Sequence, residues 1–271
     1  MTAAGKINLA LVVGPRRDDG MHEVATVLQR IDLADELALD SADALMVEGF
    51  AEDTIVHDAL VQLAETAGVE PRWRVRIQKR IPVAVGLGGG SADAAAALTL
   101  ANETLGEPLP PAELLAVAAA VGSDVPFFLE PGPKLAEGLG ERLSALDLPQ
   151  DYAIVIAVPD GARKHSTGDV YRAFDALGLE AGFRERKERL VAALTACSVA
   201  RDLARLPEND LPAATVGQDV DGRLYDLGAF RVDMTGAGPA LYGLFDTRDE
   251  AERAARAVER EAQVWAASPV W

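Results

Sequence analysis

The residues best suited to chemistry lie in a glycine-rich stretch, residues 82–98. It reads Pro-Val-Ala-Val-Gly-Leu-Gly-Gly-Gly-Ser-Ala-Asp and continues as a run of alanines. Glycines let the backbone approach a ligand closely, and Ser91 is predicted to open a helix. Unpaired amides at a helix start, together with the positive end of the helix dipole, bind anions. The stretch therefore predicts a cradle for phosphate.

Three interpretations of these glycines compete. A P-loop of the form G-x-x-x-x-G-K-[ST] fails because no lysine follows the glycines. A dinucleotide fingerprint, G-x-G-x-x-G, fails at its third glycine, where the chain has Ser91. A purely structural turn from strand to helix stays open on this stretch alone, so the other motifs must decide.

Three further motifs carry residues with chemical potential. Asp124 stands in Gly-Ser-Asp-Val-Pro-Phe-Phe, directly before an apolar segment, where an acid either stabilises a turn or exchanges protons. Lys6 and Asn8 are the polar residues at the start of an otherwise apolar segment. Residues 235–239, Thr-Gly-Ala-Gly-Pro, form a second glycine turn.

Composition limits the classes of function. The 271 residues suffice for one large domain or two ordinary ones, and 49% hydrophobic with 25% charged residues is globular composition. A net charge of −17 argues against a nucleic-acid partner. No apolar run approaches the roughly 20 residues of a membrane span, and no signal pattern opens the chain. The single cysteine, Cys197, suits a reducing compartment, so we expect a cytoplasmic protein.

The elements that must position these motifs are predicted to mix strands and helices. Residues 6–13 are mostly apolar and indicate a buried strand. From Arg72, strict alternation places Trp73, Val75 and Ile77 on one face of a half-exposed strand. Further strands are predicted at 24–31, 35–39 and 44–48, with helices at 53–67, from Ser91 onward, and at 112–121. Residues 134–142 contain two glycines and predict a bend.

The second half is predicted to have its own α+β organisation. A polar stretch with Pro149 places a boundary near Asp147, which gives domains of residues 1–146 and 147–271. Ser166 and Asp169 fit a capping box at the start of a helix. Strands are predicted at 152–158, 230–234, 240–245 and 264–267, and helices at 167–177, 183–196, 199–206, 211–216 and 249–260.

Taken together, the motifs resemble the GHMP kinase superfamily of small-molecule kinases. The finer resemblance is to the 4-diphosphocytidyl-2-C-methyl-D-erythritol kinase family of the non-mevalonate isoprenoid pathway. It covers essentially the whole chain. The residues that carry it are Lys-Ile-Asn-Leu at Lys6, Arg-Arg-Asp-Asp-Gly-Met-His-Glu at Arg16, Ser-Asp-Val-Pro-Phe-Phe at Ser123 and Asn-Asp-Leu at Asn209.

This resemblance implies a two-domain GHMP kinase fold of the α+β class. Its N-terminal nucleotide-binding domain is ribosomal protein S5 domain 2-like, its C-terminal substrate-binding domain is ferredoxin-like, and the active site lies between them. ATP, with Mg²⁺, would phosphorylate a hydroxyl of a substrate bearing cytidine diphosphate. Phosphoryl transfer needs anion-binding donors, a metal ion, a base near the acceptor hydroxyl and a cation on the migrating charge.

The resemblance also implies individual roles. Asp124 fits the base and Lys6 the cation, and both are the candidate catalytic residues. Ser91 fits a contact with a phosphate or with Mg²⁺. The ATP-binding residues implied are Pro82, Val83, Ala84, Val85, Gly86, Leu87, Gly88, Gly89, Gly90, Ser91, Ala92, Asp53, Lys79 and Asp93. The substrate-binding residues implied are Asn8, Met21, His22, Thr167, Tyr171, Gly236 and Gly238.

Some positions depart from the family pattern, and two others have a structural alternative to the functional role. Met21 replaces the usual aromatic residue, which bears on substrate identity, and Asp53 replaces an asparagine. Ala84 stands where the family loop usually begins with glycine. Lys79 could instead be a solvated lysine at a strand end, and Tyr171 a core residue. Two other functions stay open, a GHMP kinase for homoserine or a mevalonate-type alcohol and a non-catalytic nucleotide-binding regulator.

Overall fold

We describe a computed structural model that covers residues 1–50, 54–162, 166–178, 180–211 and 220–271. The chain divides into two compact units, each assembled from separated stretches. The first unit comprises Met1–Gly5, Leu33–Val83 and Gly88–Pro131. The second comprises Lys6–Asp32, Ala84–Leu87 and Gly132–Trp271. The domain boundary near Asp147 stays a prediction.

Two long paired strands contribute residues to both units. Strand β1 runs over Thr2–Arg16 and pairs with β2, His22–Ser41. The sequence predicted a shorter first strand and broke the second into two at its acidic residues. The strand continues past Asp32 because this side chain lies at the surface, where its carboxylate accepts the backbone N–H of Ser268 at 2.8 Å.

The first unit packs helices against a small sheet. Residues Glu36–Ser41 of β2 pair antiparallel with a strand whose other edge carries a short parallel strand. The alternation predicted from Arg72 is confirmed, since Trp73, Val75 and Ile77 are all buried in the core of this unit. The elements of the first unit after β2 are β3 Met46–Glu48, α1 Thr54–Ala67, β4 Trp73–Gln78, α2 Gly89–Glu103, α3 Pro111–Val121 and α4 Val125–Leu129.

A β-hairpin in the second unit contains the bend predicted within residues 134–142. Strand β5, Lys134–Gly138, pairs with β6, Arg142–Ala145, and with Val24–Leu28 of β2. The two strands on either side were not predicted, because Gly138 and Gly140 were taken as breaks within one segment. Both have positive φ and instead form the tight turn that joins two strands.

The rest of the second unit is a four-stranded antiparallel sheet with helices. Its strands lie in the order β10-β7-β9-β8. Counted along the chain this order is 4-1-3-2, with helical segments after the first and third strands, which is a ferredoxin-like arrangement. The predicted α+β second half is confirmed. The elements are β7 Ala153–Pro159, α5 Thr167–Leu177, α6 Phe183–Thr195, a 3₁₀ helix Ala200–Arg205, α7 Val220–Asp226, β8 Arg231–Met234, β9 Leu241–Phe245, α8 Arg248–Val258, β10 Ala262–Ala267 and β11 Pro269–Val270.

Local sequence signals account for several of these boundaries. At the start of α5, Ser166 Oγ accepts the Asp169 backbone N–H at 3.1 Å, which is the N-cap half of the predicted capping box. The short β11, which pairs with Ile31 and Arg30 of β2, was not predicted. The helix predicted at 211–216 falls, apart from Leu211, outside the described residues. Among the helices in the described ranges, none is long and apolar enough to cross a membrane.

Candidate active site

The glycine stretch leads into the N-terminus of α2, as predicted, but the helix starts earlier. It begins at Gly89, and Gly88 is the N-cap residue with φ 68°, a left-handed conformation that favours glycine. No side chain caps this end, and Ser91 lies within the first turn. The first backbone N–H groups of α2 have no partners within the helix. This arrangement fits a phosphate group.

The preceding part of the stretch contacts the second glycine turn inside the second unit. The Ala240 N–H donates to Val85 O at 3.0 Å, and the Lys6 N–H donates to Leu87 O at 2.9 Å. Gly86 has φ 97°, and a Cβ atom there would lie 2.1 Å from Thr235 O. Only glycine allows this close approach of two backbones. Ala84, where family members usually have glycine, also adopts positive φ, 52°.

Lys6 is buried at this contact. Its Nζ atom donates to Asn8 Oδ1 at 2.6 Å and to Gly86 O at 3.0 Å. The Asn8 amide also accepts from Thr235 Oγ1 at 3.1 Å and donates to Thr26 Oγ1 at 2.8 Å. The structure thus joins three predicted site residues, Lys6, Asn8 and Gly86. The internal hydrogen bonds of Asn8 hold Lys6, and a direct contact of Asn8 with substrate stays a prediction.

Lys79 forms a second buried charged cluster, in the first unit. Its Nζ atom donates to Asp35 Oδ2 at 2.6 Å and to Asp93 Oδ2 at 2.7 Å, and both carboxylates are fully buried. Burial by itself lowers the pKa of Lys79, but the two carboxylates outweigh it and raise that pKa above its usual value. The alternative of a solvated strand-end lysine is therefore wrong.

Asp35 is a residue of this cluster that the sequence analysis missed. Its Oδ1 atom accepts the backbone N–H groups of Arg80 at 2.5 Å and Ile81 at 2.9 Å, directly before the glycine stretch. An available signal was the alternation of β2, because Asp35 shares a face with Leu37 and Leu39. A carboxylate on an apolar face needs a partner, and Lys79 is that partner.

Asp124 lies in the first unit at the start of α4, an element that the sequence analysis did not predict. It occupies the N-cap position, yet its side chain makes no capping hydrogen bond to the helix. The next three residues, Val125, Pro126 and Phe127, are buried, as the apolar segment predicted. Lys6 belongs to the second unit, and so its proximity to Asp124 stays a prediction.

The residues predicted to bind cytidine include a packed pair in the second unit. The rings of His22 and Tyr171 have centroids 4.9 Å apart, and Phe174 meets His22 edge-on at 5.9 Å. His22 Nε2 lies 2.6 Å from Asp175 Oδ1. Met21 is half exposed, at 51%. Tyr171 packs against the core of this unit, so the core-residue interpretation holds alongside the binding one.

The other predicted site residues occupy varied positions. Thr167 is exposed in the first turn of α5. Gly236 has φ 57°, and a Cβ atom on it would lie 3.5 Å from Lys6 Nζ, whereas one on Gly238 would lie 2.5 Å from the Met234 sulfur. Asp53 lies outside the described residues. In the stretch itself, Val83 is exposed, Pro82 and Gly90 are half-buried, and Ala92 is buried.

Comparison with known proteins decides the family. The model of the GHMP kinases N terminal domain matches residues 54–132, and that of the GHMP kinases C terminal domain matches residues 222–263. The 4-diphosphocytidyl-2-C-methyl-D-erythritol kinase of Anaeromyxobacter sp. (strain Fw109-5) is 38% identical over 96% of this chain and 86% of its own length. The chain belongs to the GHMP kinase family. The kinase of the same name from Pelotomaculum thermopropionicum is also 38% identical, over 95% of this chain and 93% of its own.

Solved structures also include a member of the same family, and a more distant kinase has a similar fold. A crystal structure of 4-(cytidine 5'-diphospho)-2C-methyl-D-erythritol kinase covers 100% of this GHMP kinase chain and 99% of its own, with a TM-score of 0.81 and 32% identity. The mevalonate kinase of Methanococcus jannaschii has a TM-score of 0.77 at 12% identity, over 100% and 98% of the two chains. The second likeness concerns the fold alone. Membership of this kinase family implies ATP as the phosphoryl donor.

Proposed function

We propose that this chain is the kinase that transfers the γ-phosphate of ATP to a hydroxyl of 4-diphosphocytidyl-2-C-methyl-D-erythritol, in the non-mevalonate isoprenoid pathway. The observation that carries the proposal is the 38% identity to kinases of this name over almost the full chain. In this proposal residues 1–146 form the nucleotide-binding domain and residues 147–271 the substrate-binding domain. The single cysteine favours the cytoplasm as the compartment.

The start of α2 would hold the phosphates of ATP. Its first turn offers backbone N–H groups that have no partners within the helix, and the positive end of the dipole of a 15-residue helix. Mg²⁺ would neutralise phosphate charge, and Ser91 is the candidate protein contact for it. Within the described residues no group of three or more His, Cys, Asp or Glu side chains could hold a metal ion. Mg²⁺ in kinases is commonly bound through phosphates with few protein ligands, which agrees with Ser91 as a single contact.

Lys6 and Asp124 would perform the transfer step. The Lys6 ammonium, fixed on two neutral oxygens, would stabilise negative charge on the phosphoryl group as it moves. Asp124 would accept the proton of the attacking hydroxyl. The backbone contact between Gly86 and Thr235 fixes the carbonyl that holds Lys6.

The group around His22 would recognise the cytosine. A proton on Nε2 directed to Asp175 leaves Nδ1 of a neutral imidazole as an acceptor, which suits the exocyclic amine of cytosine. Tyr171 offers a ring face for stacking. Met21 would cover the other face, in place of the aromatic residue of the family pattern. Gly236, Gly238 and Thr167 would complete the substrate contacts.

The test is a panel of acceptor alcohols incubated with ATP and Mg²⁺ and scored by ADP release. The cytidine diphosphate substrate should be turned over far faster than homoserine or mevalonate. Faster turnover of either of those alcohols would contradict the proposal and favour a GHMP kinase with another acceptor. ATP binding without acceptor-dependent ADP release would favour the regulator.

Asp124→Asn is the sharpest single substitution for the mechanism. We expect kcat to fall by roughly 10²- to 10⁴-fold with little change in ATP affinity, because the variant keeps the shape of the side chain but loses the base. Asp246→Asn is a matched control, since Asp246 is an exposed residue paired with Arg201. Near-normal turnover by Asp124→Asn would exclude it as the base.

A further inference from the structure

The hydroxyl of Thr235 shares both of its acceptors with the Lys6 ammonium. Lys6 Nζ donates to Asn8 Oδ1 and to Gly86 O. Thr235 Oγ1 lies 3.1 Å from Asn8 Oδ1 and 3.2 Å from Gly86 O, so its single proton can go to either one. Lys6 therefore donates to both oxygens, and the Thr235 hydroxyl donates to one of them at a time while its oxygen lies within hydrogen-bonding distance of the other.

The same hydroxyl also accepts a hydrogen bond from the main chain of β1. The backbone N–H of Asn8 donates to Thr235 Oγ1 at 3.0 Å. Asn8 is 5% exposed and Thr235 is fully buried, so water cannot replace this bond without a change in structure. Asn8 is two residues from Lys6 in the same strand. The Thr235 hydroxyl therefore positions both the side-chain amide that Lys6 contacts and the strand that carries Lys6.

The main chain around Thr235 is held from both sides. Asn209 Nδ2 donates to Met234 O at 3.0 Å and to Gly236 O at 2.8 Å, the carbonyls that flank Thr235 in the chain. The Thr235 N–H donates to Ala240 O at 3.0 Å, and Thr235 O accepts from the Gly238 N–H at 3.0 Å. These hydrogen bonds hold the main chain of the second glycine turn in place, and with it the side chain of Thr235.

We infer that Thr235 is a positioning residue, whose hydroxyl holds the Lys6 ammonium at the place where it stabilises the transferring phosphoryl group. This inference rests on the proposed function, which assigns Lys6 its role in phosphoryl transfer. The hydroxyl acts only through Asn8, Gly86 and Lys6. Misplacement of a catalytic group by about 1 Å can cost about 10²-fold in rate.

The kinetic test compares Thr235→Val, which is nearly isosteric and lacks the hydroxyl, with Thr235→Ser, which keeps it. We expect Thr235→Val to lower kcat about 10- to 100-fold with little change in the KM for ATP, as for loss of a transition-state interaction, and Thr235→Ser to restore most of the rate. Thr99→Val is the matched control, because Thr99 is half-buried and its hydroxyl bonds only to Ala95 O of its own helix. Equal loss in the Ser and Val variants would overturn the inference.

A double-mutant cycle separates positioning from general damage. In a Lys6→Met background, Thr235→Val should cost almost nothing further in kcat, because the group that it positions is already gone. A purely structural defect would instead lower kcat by the same factor in both backgrounds, and that result would overturn the inference.

A crystal structure of Thr235→Val gives a readout that does not depend on activity. We expect the distance from Lys6 Nζ to Asn8 Oδ1 to exceed hydrogen-bonding range, or the Asn8 amide to have turned over. Unchanged Lys6 contacts would overturn the inference even if no acceptor were phosphorylated. If Lys6 were displaced in the variant but the unmodified protein phosphorylated no acceptor of the panel, the result would count against the proposed function alone.

Discussion

Lys79 and Lys6 donate hydrogen bonds to different kinds of oxygen. Lys79, in the first unit, donates to two fully buried carboxylates, those of Asp35 and Asp93. Lys6, in the second unit, donates to two neutral oxygens, of Asn8 and Gly86. Two carboxylates more than neutralise one ammonium, so the charge of Lys79 stabilises these buried carboxylates, and its contact with ATP stays a prediction. These two neutral oxygens orient the Lys6 ammonium without themselves cancelling its charge, and the role of Lys6 in phosphoryl transfer stays a prediction.

The largest expected effect is on stability, from Lys79→Met. Removal of the ammonium leaves Asp35 and Asp93 buried side by side, and we expect a loss of about 3–5 kcal/mol in the free energy of unfolding at neutral pH. The two carboxylates should then share a proton, with a pKa raised above that of the unfolded chain. Urea unfolding at several pH values measures both effects.

The pH dependence of Lys79→Met follows from that shift. The folded variant holds a proton that the unfolded chain releases, so its stability should fall as pH rises through the carboxyl range towards neutrality, and should recover on acidification. Lys6→Met is the matched control for stability. The hydrogen bonds of Lys6 to Asn8 and Gly86 are to neutral oxygens, so the loss of these two bonds should cost less, and depend less on pH, than the loss of the Lys79 ion pairs. Equal, pH-independent losses in the two variants would break the contrast between the lysines.

The second effect is on catalysis, from Lys6→Met. We expect kcat to fall by about 10²- to 10³-fold, the cost of one donor that acts on charge developing in the transition state. The KM for ATP should change little, because the interaction strengthens only as the phosphoryl group moves. Steady-state kinetics with varied ATP gives both constants. A rise in the KM for ATP with kcat unchanged would make Lys6 a binding residue.

The sequence predicted the local features around Lys6 and Lys79 better than the contacts between residues far apart in the chain. The helix start after the glycines, the buried strand with Lys6 and the second glycine turn were all predicted, because glycines and isolated polar residues in apolar runs are local signals. Anion binding at the helix start stays a prediction. The start of α2 was misplaced by two residues. Ser91 is a residue type that is favoured at the N-cap. Gly88, earlier in the chain, adopts the left-handed conformation and is the N-cap residue instead.

Partnerships across the chain could not be predicted in the same way. Asp35 pairs with Lys79 over 44 residues, and Thr235 meets Asn8 over 227. Neither pair leaves a local trace beyond a polar residue on an apolar face. The ferredoxin-like strand order was expected only through the resemblance, because it follows from long-range pairing rather than from periodicity. The hairpin at Gly138 was missed for a local reason, because its two glycines were taken as breaks rather than as the turn between two strands.

A third prediction tests whether the cytosine belongs to the region that holds Lys6. Tyr171→Ala should weaken binding of a cytidine diphosphate ligand by about 1–3 kcal/mol, the usual value of a base stacked on an aromatic ring. ATP affinity should stay unchanged. Calorimetric titration with each nucleotide measures the two affinities. Loss of ATP affinity would contradict this assignment, and so would an unaltered affinity for the cytidine ligand.

The smallest expected effect comes from Met21→Tyr, which restores the aromatic residue of the family pattern. Met21 is 51% exposed, so a larger ring can be placed there without repacking a core. An aromatic pair contributes about 0.5–1.5 kcal/mol beyond burial, whereas a sulfur–aromatic contact contributes about 0.3–1.5 kcal/mol, so the net gain for the cytidine ligand should be under about 1 kcal/mol. The same titration measures it, with ATP affinity again unaffected.

If Tyr171→Ala weakens binding while Met21→Tyr leaves it unchanged, only one face of the cytosine is covered, and Met21 lies outside the pocket. If neither substitution changes the affinity, the pyrimidine pocket is misplaced, and the second unit binds a different acceptor.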